Sequence, residues 1–165
     1  MIPLMVRSAL STGVLPDSPG GSDGCSWIDV DSLSRAILDI GGLGRGVLEK
    51  PENEELQLVY NLVHPRPFSW RDDFLPSLKA AGLDFDAVNR QAWLEKLRAS
   101  ESDIKKNPSR KLLSFWEAQF INGEGRETKF ETKAAETRSE AMRKAAKVVD
   151  EEYVAKLLRA WRTVW

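Results

Sequence analysis

The segment LQLVYNLV, residues 56–63, constrains this chain more than any other. It is a nearly unbroken apolar run, and Val59, Tyr60 and Val63 are residue types that suit a pleated surface. Continuous apolar character, rather than strict alternation, marks a strand buried on both faces of a parallel sheet. A lone strand cannot satisfy its own backbone groups, and a lone pair is marginal. No second run of equal strength is visible among the 165 residues. The expected fold class is therefore α+β and mostly α-helical, with one or two sheet strands and about six helices. A chain of this kind looks like part of something larger.

The helices are read from spacing and caps. Residues 2–13 carry Ile2, Leu4, Met5 and Leu10 behind Pro3, which the first helical turn tolerates. LPDSPGGSDG, residues 15–24, has the Pro, Gly and Ser density of a loop. Asp31 is a good N-cap for a helix carrying Leu33, Ala36, Ile37 and Ile40, and Gly41-Gly42 is a good stop. The glycine-rich stretch up to Glu55 reads as a loop. Ser69 caps a helix from Trp70 to about Ala81, closed by Gly82. Phe85 and Val88 fall in a short edge strand or turn. Gln91–Arg98 places Trp93, Leu94 and Leu97 on one side, and Asn107-Pro108 opens a further helix. Residues 137–165 read as C-terminal helices. Thr137 and Glu140 have capping-box spacing, and Asp150 caps a last helix with Tyr153, Val154, Leu157, Leu158, Trp161 and Val164 on one face. No internal repeat is evident, and 165 residues leave room for one domain, or one domain and a tail.

Charge and composition exclude several functions. Lys plus Arg is 24 and Asp plus Glu is 25, a net charge of -1, which argues against a nucleic acid or an acidic membrane surface as partner. One Cys, Cys25, allows no internal disulfide. One Cys and one His, His64, cannot build a structural zinc site, so no metal is expected. No apolar run approaches the roughly 20 residues of a membrane span. The N-terminus lacks a basic region ahead of its apolar patch, so no signal peptide and a cytoplasmic location are expected.

The chemical motifs are mostly negative. GGLGRG, residues 41–46, has Val47 where G-x-G-x-x-G needs a third glycine, and it follows a helix instead of a strand. A short-chain reductase needs Tyr followed four residues later by Lys. Tyr60 is followed at that spacing by His64, and Tyr153 by Leu157. His64 has no G-x-S-x-G nucleophile to serve and reads as a loop residue that bonds backbone. Nothing basic lies near Cys25 in sequence to activate it. The six tryptophans, interleaved with Arg and Lys, could stack on RNA. With no net positive charge they read instead as core.

Four segments together resemble a known family. They are PLMVRSALSTGVLPD, WIDVDSLSRAILDI, VYNLVHPRPFSW and NPSRKLLSFW, and they occur here in the order seen in the carboxyl-terminal part of thioester reductase domains. Those domains belong to the extended short-chain dehydrogenase superfamily and end fungal enzymes of the non-ribosomal-peptide-synthetase-like and polyketide synthase classes. One departure is Asp29, where the family has Pro, which bears on the local turn. The resemblance implies a single region over residues 1–165, the carboxyl-terminal substrate-binding lobe. It implies a partial Rossmann-type reductase without its N-terminal nucleotide-binding half, in which LQLVYNLV joins the parallel sheet. The complete family domain uses NADPH to release a carrier-bound acyl or peptidyl thioester as an aldehyde in secondary metabolism. This chain lacks the Gly-rich motif and the Tyr/Lys pair. It is therefore expected to bind no cofactor alone and to have no catalytic residue of its own. The partners implied are an acyl or peptidyl carrier protein with its phosphopantetheine arm, or the missing Rossmann half. Met5, Ser8 and Trp27 are the implied channel-lining positions. The alternative is a stand-alone module that binds a carrier protein or partner subunit.

Overall fold

Pro3 stands in the first turn of a helix, where a residue without an N–H costs nothing. The computed structural model describes residues 2–20, 23–44, 59–100, 102–104, 107–121 and 129–165, with residues 119–121 described by backbone alone. In chain order the elements are α1 (Ile2–Thr12), β1 (Val14–Pro16), β2 (Gly24–Cys25), α2 (Val30–Ile40), β3 (Phe68–Ser69), α3 (Leu75–Ala80), β4 (Asp86–Val88), α4 (Arg90–Ala99), α5 (Leu113–Ile121), α6 (Lys133–Arg138), α7 (Glu140–Arg143) and α8 (Glu151–Arg162). A π-helical turn, Trp70–Phe74, precedes α3, and a 3-10 turn, Pro108–Leu112, precedes α5. The class is mostly α-helical α+β, as expected. Eight α-helices appear among the described residues instead of about six, because the C-terminal third is broken at Ser139 and after Arg143.

One strand, β4 at Asp86–Val88, falls where the sequence allowed an edge strand or turn, and the others lie elsewhere than expected. Residues 56–58 of LQLVYNLV lie outside the described residues, and residues 59–63 run as irregular chain and belong to neither described sheet. Instead β1 pairs in parallel with β4, with Val14 opposite Asp86 and Pro16 opposite Val88. Gly13, at φ 70°, ends α1 in the left-handed region and turns the chain directly into β1, whose three residues are all buried. Three residues are too few for a period of two to be read, which is why residues 15–24 read as loop. β2 pairs with β3 in a second two-stranded sheet.

The chain divides into two compact units. The first holds Met1–Gly24, Ser69–Glu127 and Val149–Trp165, and the second holds Cys25–Phe68 and Thr128–Val148. In the first, α1 and α4 pack beside β1, and α8 packs on α3. Met5, Leu15, Trp70, Phe74, Trp93, Leu97, Trp116 and Leu158 are almost fully buried in this unit. Trp161 and Trp165 are only half-buried, and Val164 at the far end of the expected apolar face is exposed. Ser69 caps the helix that follows, accepting from Asp72 N–H at 2.8 Å. Its first turn is π-helical because Pro76, just inside α3, has no N–H and its ring would strike the carbonyl four residues back. Leu75 N–H reaches back five residues to Trp70 O instead.

In the second unit, α2 packs against α6 and α7. Ala36, Ala135 and Met142 form the buried centre, flanked by Ile28, Ile40, Tyr60, Leu62 and Ala141. The cap of α2 is Asp29, not Asp31. Its carboxylate accepts from Ser32 N–H at 2.8 Å, while Asp31 falls inside the first turn. The family's proline at this position would suit the extended backbone of Asp29, φ -70° and ψ 153°, but would supply no acceptor. Burial raises the Asp29 pKa, yet the Ser32 hydrogen bonds outweigh it and hold the carboxyl below the usual aspartate range. The cap's contribution is thus complete at neutral pH and is lost as pH falls through that lowered value. Asp29→Ala should cost about 1 kcal/mol at pH 7. In urea unfolding followed by circular dichroism, the gap from wild type should narrow towards pH 3. A gap of the same size at both pH values would refute this.

Candidate functional site

The candidate site is a cavity of about 530 Å³ within the second unit, lined by Ser32, Arg35, Leu38, Asp39, Gly44, Glu140, Ala141 and Lys144. Two local signals build its walls. Gly41-Gly42 ends α2 as the sequence predicts, with Gly42 at φ 75° and Leu43 N–H bonded back to Leu38 O at 2.8 Å. Gly44 N–H donates to the same carbonyl at 2.9 Å, which folds residue 44 back over the helix end. On the other wall, α7 is capped by Ser139, which accepts from Met142 N–H at 3.2 Å. Thr137, the expected cap, instead donates to Lys133 O inside α6. A hydroxyl two residues later wins because the break between α6 and α7 falls there.

Asp39 sits between the walls and is 4% exposed. Its Oδ2 accepts from Ser139 Oγ at 2.7 Å, so one hydroxyl caps α7 and ties it to α2. At the rim, Lys144 Nζ meets Glu140 Oε1 at 2.5 Å. The Lys144 hydrogen bond and charge hold the Glu140 carboxyl below the usual range, against burial and the repulsion of Asp39, with Arg143 helping. The cavity thus offers two carboxylates, an ammonium and a guanidinium beside the apolar Leu38 and Ala141. Such a lining can hold a small polar molecule by charge and hydrogen bonding. One sequence signal pointed here and was missed. Asp39 is an acidic residue between Ala36 and Ile40, on the face of α2 that packs inward.

Of the three residues singled out from the sequence, the structure brings Met5 and Ser8 together. Met5 and Ser8 belong to the first unit and are fully buried. Ser8 Oγ donates to Met5 O at 2.6 Å and accepts from Trp93 Nε1 at 3.0 Å. Trp27 belongs to the second unit, is half-buried, and meets the Phe68 ring edge-on at 5.0 Å. None of the three lines the cavity. His64 is buried and bonds backbone through its ring, to Arg66 N–H at 3.1 Å and Ala146 O at 2.7 Å.

The described residues of GGLGRG, Gly41–Gly44, offer no phosphate cradle. The described part of GGLGRG closes the C-terminal end of α2, where the helix dipole repels phosphate, and its amides at Gly42, Leu43 and Gly44 already bond to helix carbonyls. Among the described residues no group of three or more His, Cys, Asp or Glu could hold a metal ion. No helix among them is long and apolar enough to cross a membrane.

Known proteins supply the context. No protein-family model matches the chain, and no solved structure matches it. An adenylate-forming reductase of Heterobasidion annosum is 31% identical over 130 residues, 73% of this chain and 10% of its own. A non-reducing polyketide synthase of Hypocrea jecorina is 30% identical over 166 aligned residues, 98% of this chain and 6% of its own. A carboxylic acid reductase of Neurospora crassa is 26% identical over 134 residues, 78% of this chain and 12% of its own. The chain thus corresponds to between 6 and 12% of the length of these three relatives. It is homologous to a segment found in fungal adenylate-forming reductases, a fungal carboxylic acid reductase and fungal polyketide synthases.

Proposed function

We propose that the chain is the substrate-side part of a thioester reductase of fungal secondary metabolism. In this reading it contributes walls to the channel that receives a carrier-bound acyl or peptidyl thioester. The NADPH site and the proton-donating Tyr/Lys pair are supplied by a nucleotide-binding half that these residues do not form. The observation that carries the reading is the ordered match of four segments, set beside relatives that are reductases by name. Trp27, which keeps exposed surface, is the better channel candidate of the three, while burial of Met5 and Ser8 supports a packing role.

The test has two arms. The purified chain should oxidise no NADPH in the presence of an acyl thioester on a phosphopantetheinylated carrier protein. Grafted into the Heterobasidion reductase in place of the matched segment, it should restore NADPH-dependent aldehyde release that deletion of the segment abolishes. Aldehyde formation by the chain alone, or a folded but inactive graft, would sink the reading.

A second reading is a stand-alone module that binds the carrier's phosphopantetheine arm or a partner subunit. It is favoured by a cavity built within one unit of this chain. Titration calorimetry with a phosphopantetheinylated carrier should then show saturable heat, and a flat titration would exclude it.

A further inference from the structure

The chain has one histidine, His64, and it is 3% exposed. Its ring nitrogens have opposite tasks. Nδ1 accepts from Arg66 N–H at 3.1 Å. Nε2 faces the carbonyl of Ala146 at 2.7 Å, and a carbonyl can only accept, so Nε2 carries the proton. Only the neutral Nε2–H tautomer makes both bonds. An imidazolium carries N–H on both nitrogens, and its Nδ1–H would oppose the Arg66 N–H with no lone pair between them.

The same residue gathers three stretches of chain. His64 N–H donates to Ser26 O at 3.1 Å. Arg66 extends the clasp, its guanidinium donating to the carbonyls of Arg143 and Ala145. The segment held this way, residues 143–146, continues directly from Glu140 and Ala141 and contains Lys144, all three of which line the cavity.

Besides His64, the titratable and charged groups on the converging stretches 23–31, 60–66 and 140–150 are Asp23, Cys25, Asp29 and Asp31 on the first, Tyr60 and Arg66 on the second, and Glu140, Arg143, Lys144, Lys147 and Asp150 on the third. Asp29 is committed to the α2 cap and Glu140 to Lys144. Asp150 caps α8, and Asp23 accepts from Ser69 Oγ and Arg71 N–H.

We propose that His64 is a proton-sensitive clasp: neutral, it pins residues 143–146 and with them one wall of the cavity; protonated, it lets them go. The chain has one histidine, so replacing it removes every imidazole. The measurement is hydrogen exchange of the full chain at pH 7.5, 6.5 and 5.5, with rates corrected for the intrinsic pH dependence of exchange. Opening at the amides of residues 143–145 should rise by up to about tenfold per pH unit, the limit for one linked proton. Amides of α1, in the other unit, should stay flat. His64→Gln, whose amide can still donate to Ala146 O but does not titrate, should remove the slope. A wild-type chain with flat corrected exchange, or a folded H64Q variant with the wild-type slope, overturns the proposal. Should H64Q fail to fold, nuclear magnetic resonance of the wild type decides. The His64 ring and the 143–146 amides must titrate together, and separate titrations overturn the clasp.

Discussion

Trp93→Ala should destabilise the first unit by about 3–5 kcal/mol, the usual cost of deleting a buried aromatic ring. Trp93 is fully buried, its ring meets Trp116 edge-on at 5.6 Å, and its Nε1 donates to Ser8 Oγ at 3.0 Å. Alanine removes the ring's apolar burial, opens a cavity beside α1, and takes away the donor that Ser8 receives. Domains of this size are stable by only about 5–15 kcal/mol, so the variant should approach the threshold of folding at growth temperature. Trp93→Phe separates the two contributions. It keeps most of the ring and loses the hydrogen bond, for about 1 kcal/mol from the bond itself. Urea unfolding followed by circular dichroism reads both. If W93A unfolds at the wild-type midpoint, the buried contact between α1 and α4 does not hold this unit together.

Gly44→Ala should be the most damaging added methyl among the described glycines of the second unit. A Cβ there would stand 2.1 Å from Asp39 Oδ1 and 2.8 Å from the Asp39 backbone nitrogen. The first clash could be relieved by turning the carboxylate away, but that breaks its bond to Ser139. The second involves backbone and cannot be relieved by any rotamer. Overpacking of this kind costs about 1–3 kcal/mol, or several degrees in Tm for a chain of this length. Gly20→Ala is the control, because a Cβ there meets nothing within 4 Å. Equal melting temperatures for the two variants would mean that Gly44 does not close over Asp39 in solution.

The local grammar of the chain was legible. Pro3 opening α1, Gly41-Gly42 closing α2, Ser69 and Gly82 bracketing the helix between them, and Asp150 capping α8 all stand where the spacing placed them. Each depends on atoms within a few residues, so the sequence contains the whole interaction. The errors of detail were also local. Asp29 displaced Asp31, and Ser139 displaced Thr137, by two residues each. In both places several capping residues stand within one turn, and packing of the helix face selects among them. Residues that carry the family resemblance turn out to make tertiary hydrogen bonds. Trp70 Nε1 donates to Pro16 O at 3.0 Å, Ser8 accepts from Trp93, and His64 joins Ala146.

What depends on distant partners was not legible. The parallel pair joins Val14–Pro16 to Asp86–Val88 across some seventy residues, and although an edge strand or turn was legible near Phe85 and Val88, three residues do not announce their partner. LQLVYNLV has strand chemistry, yet residues 59–63 lie in no described sheet, because a ladder requires a neighbour and propensity alone supplies none. The cavity is of the same kind. Asp39 and Ser139 are a hundred positions apart, and nothing in either neighbourhood announces the other. By itself, then, the sequence determined where most helices lie and several of their starts and stops, because these are carried by near neighbours. Only the tertiary structure decided which short strands pair, which carboxylate is buried and which histidine tautomer is held, because each of those depends on groups brought together by folding.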